Sequence, residues 1–550
     1  MTAVTAGPDG MPPDGGRSGG GPLPVGLGAL LSGADLVGRL PGFLRRPLDV
    51  DESLASLRRQ QAGREGRLLE KLRHAVFARP ESPYGQLFAW AGCEEGDVQK
   101  LLASEGVEGT LRQLLRAGVY VTVDEFKGRS PIRRGNREIE GGPDRLRNPL
   151  ARFHVAVRSG GTRSSGTPVL IDLDFIRNCG VTTCLMLDAW GAVSPRKATW
   201  EPPGAGARFR LLKLASFGDP PARWFSQVDP AARDLPALYR WSDRSMRLGG
   251  WLAGRPLPAA TYAPFDGAAT ICRWMQRELR EGRTPWLFCF ASSAVKVCQE
   301  AEREGIDLTG ALFTMAGEPT TPARRARVDA SGARAIPRYG SMECGPVGYG
   351  CRQASASDDV HFLDHLHGLL QAGADGGSLG LPAEALLVTA LDPASPFLMI
   401  NTSMGDQGAL EARSCGCPME RLGWHTHLRD LRSYEKLTAA TITFLDTDII
   451  EVLEQALPAT FGGSPIDYQL VEEERAEGET ALRLRVDPSV GEVDEEALRE
   501  TFIVELLARA PTAQVPESAA RGGLNVEIER GPTLRTSAGK VQHLHLLRGG

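Results

Sequence analysis

A stretch of ten residues between two apolar, β-rich segments carries side chains suited to binding phosphate. Residues 159–168 read SGGTRSSGTP, shortly after FHVAV and directly before VLIDLD. The three glycines allow backbone N–H groups to approach a ligand closely, and the hydroxyl and guanidinium side chains can donate hydrogen bonds to phosphate oxygens. This composition predicts a polyphosphate-binding loop, although glycine and serine also dominate ordinary turns.

Four more short motifs follow in the second half of the chain. They read AGEP at 316–319, YGSME at 339–343, MGD at 404–406 and, near the C-terminus, RTSAGKV at 535–541 with Lys540 after the turn glycine. In this order the motifs resemble the signature of the adenylate-forming superfamily of acyl-CoA ligases, luciferases and peptide-synthetase adenylation domains. The likeness is greatest to the phenylacetate-CoA ligase branch and extends over about residues 50–550.

The resemblance implies a site for ATP and AMP built from these motifs. The loop would hold the β and γ phosphates, Tyr339 would stack on adenine, and Asp406 would accept hydrogen bonds from both ribose hydroxyls, a role suited to a carboxylate because it only accepts. The implied nucleotide-binding residues are Ser159, Gly160, Gly161, Thr162, Arg163, Ser164, Gly317, Glu318, Pro319, Tyr339, Gly340, Ser341, Met342, Asp406, Arg429 and Lys540.

The resemblance also implies a magnesium ion held by Glu343, with the Thr162 hydroxyl nearby. Hard divalent ions prefer oxygen ligands and need few protein carboxylates where phosphates supply the rest. The chain departs from the family at two positions. Thr167 stands where the family has a lysine, for which Arg163 is a substitute, and Met404 stands where the family has a threonine.

The implied catalytic residues are Lys540, Glu343 and Arg429. Arg429 and Asp430 resemble the hinge between the two domains of the family, where the arginine also reaches the ribose. Two alternatives stay open, namely that the hinge arginine is Arg432 and that Lys436 is its second polar residue.

Three cysteines and a histidine near these motifs form a candidate zinc site. Cys351 follows the YGSME motif, His361 lies ten positions later, and Cys415 and Cys417 form a Cys-x-Cys pair after MGD. Three thiolates and one imidazole are a common tetrahedral zinc shell, and four protein ligands would make the zinc structural. His365 and His367 compete with His361, and four unrelated residues are the alternative interpretation.

Alternating β-rich and helical patterns predict an α/β fold. We expect a Gly/Pro-rich disordered tail at 1–24, then a large N-terminal domain at 25–428 that opens with helices over about 51–120. Its mixed, mainly parallel sheets would be covered by helices. A strand, helix, strand, strand, helix, strand order after about 430 predicts a small, mobile α+β C-terminal domain at 429–550.

Composition excludes several other classes of protein. The 63 basic and 68 acidic residues give a net charge of −5 without a basic patch, so no nucleic-acid partner is expected. No apolar run is long enough to span a membrane and no signal peptide is evident, which predicts a cytoplasmic protein. The ten cysteines are expected to be reduced, most of them packed in the core, and a homodimer is left open.

The sequence as a whole predicts ATP-dependent activation of an aromatic or apolar carboxylic acid to an acyl adenylate, followed by transfer to coenzyme A. The alternative is another second nucleophile, which would give amide, hydrazide or diazo (N–N) bond formation in secondary metabolism. A nucleotide-binding protein without turnover is the rival of a different class. Trp190, Trp224 and Trp251 are candidates for an acid pocket or, more simply, for the core.

Overall fold

The computed structural model describes residues 38–152, 155–158, 168–192, 194–231, 237–434, 437–439, 442–444, 446–474, 480–509, 526–536 and 539–548. The tail predicted at 1–24 lies outside these ranges. Among the described residues, no helix is both long and apolar enough to cross a membrane.

Strands are numbered in chain order. They are β1 (Ile132–Arg134), β2 (Arg137–Ile139), β3 (Val155–Arg158), β4 (Pro168–Ile171), β5 (Arg196–Trp200), β6 (Arg223–Ser226), β7 (Ala260–Tyr262), β8 (Pro285–Phe290), β9 (Leu312–Ala316), β10 (Arg334–Ser341), β11 (Gly345–Gly350), β12 (Val360–Phe362), β13 (His367–Gln371), β14 (Ala385–Ala390), β15 (Thr402–Ala412), β16 (Thr426–Ser433), β17 (Leu437–Ala439), β18 (Ile442–Phe444), β19 (Tyr468–Glu474), β20 (Thr480–Val486), β21 (Val526–Arg530) and β22 (Leu544–Arg548).

The α-helices are numbered in the same way. They are α1 (Val50–Ala62), α2 (Arg64–Leu72), α3 (Pro83–Trp90), α4 (Glu95–Arg116), α5 (Val123–Lys127), α6 (Leu173–Ala189), α7 (Ala205–Ala215), α8 (Ala237–Leu252), α9 (Ala269–Arg280), α10 (Ala291–Arg303), α11 (Pro322–Ala330), α12 (Gly376–Leu379), α13 (Asp446–Glu451), α14 (Leu457–Phe461) and α15 (Glu495–Arg509). Single π-helical turns extend α2 at Arg73–Phe77 and join α13 to α14 at Val452–Ala456.

A twelve-stranded mixed sheet forms the centre of the large domain. Its strand order is β13-β14-β15-β16-β12-β11-β10-β9-β8-β5-β6-β7. The six strands from β10 to β7 run parallel to one another, and the remaining pairings are antiparallel. The central parallel strands are continuous apolar runs such as PWLFCF in β8, because helices cover both of their faces.

Side chains of β8 alternate between two cores. Leu287 and Cys289 pack with residues of α9 and α10, whereas Trp286 and Phe288 pack with α6 on the opposite face. This period of two is the expected consequence of the pleated strand. Because β5, β8, β9 and β10 are parallel, their carboxyl ends lie along one edge of the sheet, which we call the carboxyl edge. In open parallel sheets, ligands bind at this edge.

The C-terminal segment forms a second, smaller α+β unit. Its sheet has the order β21-β20-β19-β22, and its core includes Leu470, Leu484 and Val486 from the strands with Leu498 and Phe502 from α15. The parallel strand β22, which pairs with β19, is an addition to the predicted order. The predicted α/β fold class with its small α+β unit is confirmed, as is the helical opening at α1 to α4.

Candidate active site

Two of the predicted nucleotide-binding residues contact each other at the carboxyl edge. Tyr339, near the end of β10, donates a hydrogen bond from its hydroxyl to Asp406 Oδ2 on β15 at 3.0 Å. Burial raises the pKa of Tyr339 well above its ordinary value, and the neighbouring Asp406 charge raises it further. The phenol therefore stays protonated and holds the carboxylate in place.

Gly340 makes the sharp bend between β10 and β11. The register shifts between Tyr339 and Gly340, and a Cβ on Gly340 would lie 2.2 Å from the Gly345 carbonyl oxygen. In the turn that follows, Ser341 Oγ accepts hydrogen bonds from the backbone N–H groups of Glu343 (3.2 Å) and Cys344 (3.3 Å). The motif thus fixes the direction of Glu343, whose side chain is only 3% exposed.

Lys127 is a site residue that sequence reasoning missed. Its Nζ lies 3.5 Å from Glu343 Oε1, and its side chain is 15% exposed. It is the last residue of the short helix α5, which begins with a capping box between Thr122 and Glu125. A single lysine 216 residues from its partner carries no spacing signal, so only the fold reveals the pair.

Lys540 reaches the carboxyl edge from the small domain. A Cβ on Gly317, which has a φ of 77°, would lie 3.1 Å from Lys540 Cε, so the glycine leaves room for the lysine stem. Burial lowers the pKa of Lys540, while the charges of Glu318, Glu343, Asp406 and Glu201 act in the opposite direction, and the net shift is downward. Predicted residues from three separate motifs therefore surround this amine.

Glu318 has a role that the sequence did not indicate, because its carboxylate is fully engaged with the protein. Oε1 accepts hydrogen bonds from Ser292 Oγ (2.9 Å) and from the backbone N–H of Val541 (2.8 Å). Oε2 accepts from the Ser292 N–H (2.7 Å) and Arg324 Nη1 (3.0 Å). Since Val541 directly follows Lys540, this carboxylate holds the lysine segment against the large domain.

A buried ion network continues from this contact across the two domains. Arg324 also lies 2.7 Å from Glu454 of the small domain, and both side chains are at most 1% exposed. His543 and Thr321 contact the same carboxylate. Burial alone would raise the pKa of Glu454, but Arg324 and His543 hold it below its ordinary value. The network therefore pairs its buried charges across the domain contact.

The predicted hinge residues lie at the edge of the site. Arg429 is in β16, where its guanidinium pairs with Asp430 (2.8 Å) and Glu411 (3.5 Å) rather than with Tyr339 or Asp406. Asp430 has a φ of 57°, a left-handed conformation that marks a local bend. Arg432 donates to Asp358 Oδ2 at 2.9 Å, and Lys436 is outside the described residues.

Other predicted residues fall into three groups. The loop residues Ser159, Gly160, Gly161, Thr162, Arg163 and Ser164 lie outside the described ranges. Pro319 and Met342 lie half-buried at the carboxyl edge. Trp190 and Trp224 are buried in the core, and Trp251 is 71% exposed, so none of the three stands in a described acid pocket.

The predicted cysteine and histidine residues converge near the far end of β11. His361 Nε2 lies 3.1 Å from Cys417 Sγ and 3.7 Å from Cys415 Sγ. A hydrogen bond between the Cys351 and Cys417 side chains lowers the pKa of Cys417 and raises that of Cys351. These separations suit ligands of one tetrahedral zinc, for which Zn–S is about 2.3 Å and Zn–N about 2.0 Å.

The competing histidines are engaged elsewhere. His365 is bonded to Thr182 and Trp424, and His367 Nε2 to the Pro346 carbonyl. The structure instead adds His427, whose ligand atom lies within 4.8 Å of those of Cys351, His361 and Cys415.

Both histidines of the cluster are oriented by their second ring nitrogen. His361 Nδ1 is 2.7 Å from the Trp424 carbonyl oxygen, and His427 Nδ1 is 2.7 Å from Asp359 Oδ1. Such contacts are typical of metal-binding histidines, since they fix the tautomer that leaves Nε2 free to bind. His427 Nε2 is buried and has no hydrogen-bond partner among the described residues. The donor set fits zinc.

Several solved structures are similar to this chain. They include 2-hydroxyisobutyryl-CoA ligase in complex with 2-HIB-AMP and CoA (16% identity, TM-score 0.44, 92% of this chain and 91% of that chain). Others are the anthranilate CoA ligase AuaEII in complex with anthranoyl-AMP (12%, 0.42, 71% and 66%) and a Brucella canis acyl-CoA synthetase (15%, 0.36, 83% and 75%). No family model matches the sequence, and no curated protein matches it.

The buried network predicts that Arg324 stabilises the docking of the small domain. We expect Arg324→Met to lower the free energy of unfolding by about 3 to 5 kcal/mol, because it removes the buried arginine that pairs with both Glu318 and Glu454. Its neighbour Arg325 is a matched control, since it pairs with Asp329 at 3.5 Å nearer the surface, and Arg325→Met should cost at most about 1 kcal/mol. Denaturant unfolding and limited proteolysis around residues 434–446 measure both. Equal effects would contradict the assignment.

Proposed function

We propose that this chain is an ATP-dependent, AMP-forming ligase of the adenylate-forming superfamily, which activates a carboxylic acid as its acyl adenylate. The observation that carries the proposal is the position of Lys540. Its stem, supplied by the small domain, packs against Gly317 at the carboxyl edge of the large domain, and the charges of Glu343 and Asp406 act on its amine. One cation among buried carboxylates is suited to bringing two anions, a carboxylate and a phosphate, together.

In the proposed first step, an oxygen of the substrate carboxylate attacks the α phosphate of ATP and pyrophosphate leaves. Lys540 neutralises charge that develops on the phosphate and the acid, a preorganised contribution that is strongest at a site shielded from water. Asp406, held by the Tyr339 hydroxyl, is positioned to accept from the ribose hydroxyls. Gly317 and Pro319, together with the loop at 159–168, would complete the nucleotide site.

A magnesium ion would be held by Glu343, with Thr162 as its second protein ligand, and would offset the phosphate charge. Glu343 is buried and its Oε1 lies 3.5 Å from Lys127 Nζ, so the ion pair would hold the carboxylate in place until the ion binds. Lys127 would then contact a phosphate oxygen.

In the proposed second step, the small domain rotates about the segment of Arg429 and Asp430, and Lys540 leaves the site so that an acceptor enters. The left-handed Asp430 gives this segment a ready bend. We propose coenzyme A as the acceptor, in keeping with the acid-CoA ligases that the motifs resemble. The domain limits of 25–428 and 429–550 remain part of this proposal.

Replacing Lys540 separates the two steps. We expect Lys540→Ala to slow adenylation roughly 10²- to 10³-fold, the usual loss when one preorganised charge contact is removed. Reaction of a synthetic acyl adenylate with the acceptor should continue at nearly the normal rate. Pyrophosphate release and single-turnover transfer measure the two steps. Unchanged adenylation in a folded variant would contradict the role of Lys540.

The pH profile gives an independent measure of the same amine. Because the cationic form is required and burial lowers the pKa of Lys540, kcat/KM for adenylation should fall on the alkaline side below pH 10.5. Lys540→Arg should shift this limb to higher pH, since guanidinium stays protonated. If the alkaline decrease of kcat/KM occurs at the same pH in the wild-type protein and in Lys540→Arg, the titrating group is not Lys540.

The acceptor is tested by product balance. With an acid that the enzyme activates, we expect coenzyme A to be consumed in step with AMP release. Adenylate that accumulates in the presence of coenzyme A, but is discharged by an amine, a hydrazine or nitrite with an aryl amine, would replace this acceptor with the alternative nucleophile.

We also propose that four side chains of the cluster formed by Cys351, His361, Cys415, Cys417 and His427 hold one structural zinc ion, which would contribute free energy of folding. Protein prepared without chelator should contain close to one zinc per chain by elemental analysis. Cys415→Ser should lower the melting temperature more than Cys93→Ser, a half-buried cysteine outside the cluster, while leaving nucleotide affinity unchanged. Metal-free protein of normal stability would contradict the site.

A further inference from the structure

Three lysines are almost completely buried in the described part of the chain, and one of them differs from the others. Lys71 Nζ donates to two backbone carbonyls and to Ser395 Oγ, and Lys197 Nζ donates to backbone carbonyls that include that of Leu214. Lys213, on α7, is 0% exposed, and its Nζ has no hydrogen-bond partner among the described residues. A buried amine without acceptors is costly, so its position requires a reason.

Two arginines crowd the same amine. Arg210, one turn earlier on α7, lies with its guanidinium 3.6 Å from the centre of the Phe288 ring, and Lys213 Nζ lies 5.0 Å from that centre. Arg338 of β10 is close enough to act on both charges. Among the described residues, Arg210 Nη1 and Arg338 Nε are also buried without hydrogen-bond partners.

The negative charge nearby is smaller than the positive charge. Glu201 Oε1 accepts from Arg210 Nε at 3.2 Å, and Glu201 is the carboxylate that acts on Lys213. Three basic groups facing one carboxylate leave a surplus of two positive charges when all are ionised. We call Arg210, Lys213, Arg338 and Glu201 the basic cluster. Such a surplus in the interior favours an anionic ligand over a neutral or cationic one.

The basic cluster lies beside the proposed adenylation residues. Glu201 directly follows β5 at the carboxyl edge, and its charge reaches Lys540. Arg338 precedes Tyr339 on β10, so the two side chains point to opposite faces of the strand. Arg338 is paired across the sheet with Tyr349, whose hydroxyl bonds Thr183 of α6. The cluster therefore occupies the face that α6 and α7 cover, and Glu201 is its member at the carboxyl edge.

We infer that the basic cluster binds a second anionic group of the substrate, so that the enzyme activates a dicarboxylic acid. One carboxylate would react beside Lys540, and the other would be held by Lys213, Arg210 and Arg338. This inference rests on the proposed adenylation function and adds a second carboxylate to the aromatic or apolar acid implied by the resemblance. Burial, together with the two guanidinium groups, lowers the pKa of Lys213 well below its ordinary value, and a bound anion would restore its charge.

Matched pairs of acids test the inference on the wild-type protein. Adipate and hexanoate form one pair and terephthalate and 4-methylbenzoate another, because in each pair a methyl group stands in place of the distal carboxylate. We expect kcat/KM for ATP-dependent pyrophosphate release to be roughly 100-fold or more higher for the diacid of the pair that fits, since a site built around buried charges rejects an analogue that leaves them unpaired.

Variants assign the preference to the cluster. Lys213→Met should lower the ratio of diacid to monoacid kcat/KM by on the order of 10², because it removes the unpaired amine at similar side-chain volume. Lys71→Met is the control, since Lys71 is equally buried but donates to the protein, and it should leave the ratio unchanged. If Lys71→Met does not fold, Lys197→Met serves the same purpose.

The outcomes separate this inference from the proposed function. Pyrophosphate release with monoacids at equal or higher kcat/KM would overturn the dicarboxylic substrate and leave adenylation standing. A diacid preference that survives in folded Lys213→Met would overturn the role of the basic cluster. No pyrophosphate release with either member of any pair, in protein that is folded, would count against the proposed function and the inference together.

Discussion

The buried carboxylate of Glu318 is the contact on which the geometry of the candidate site depends. It lies in the loop after β9, where Ser292 and Arg324 fix both of its oxygens from the large domain. The same Oε1 accepts the backbone N–H of Val541 at 2.8 Å. The resemblance implies that Glu318 faces the nucleotide, whereas its carboxylate binds the small domain. Lys540 is the residue before Val541, and this contact therefore holds it in the candidate site.

The charges around this dock must be paired, because unpaired ions are costly in the interior. Arg324 provides the pairing by facing Glu318 on one side and Glu454 of the small domain on the other, at 3.0 and 2.7 Å. A rotation of the small domain would break the pair between Arg324 and Glu454 and expose both side chains to water. Their hydration would offset much of the free energy lost with the ion pair. The network therefore favours the docked orientation and still permits its release.

Sequence reasoning predicted the local parts of the candidate site and did not predict its long-range ones. Tyr339, Asp406 and Lys540 lie in short motifs with turn glycines, which the sequence displays directly. Lys127 and His427 are single residues whose partners are far away in the chain, and Lys213 is a lysine in an apolar helix. Nothing in their neighbours in the sequence distinguishes the three from surface or core residues. Strand β22 was missed for the same reason, since it pairs with β19, which lies far away from it in the sequence. The Ser159–Ser164 prediction remains untested, because that loop lies outside the described residues.

Isotope transfer tests the central claim, that the acid attacks the α phosphate of ATP. An acid that supports pyrophosphate release is labelled with ¹⁸O in its carboxylate and allowed to turn over with ATP and the acceptor. Adenylation predicts one ¹⁸O atom in the AMP and none in the pyrophosphate, because the bridging oxygen stays with phosphorus when the acyl group is transferred. Label in inorganic phosphate together with ADP formation, or AMP without label, would contradict the account.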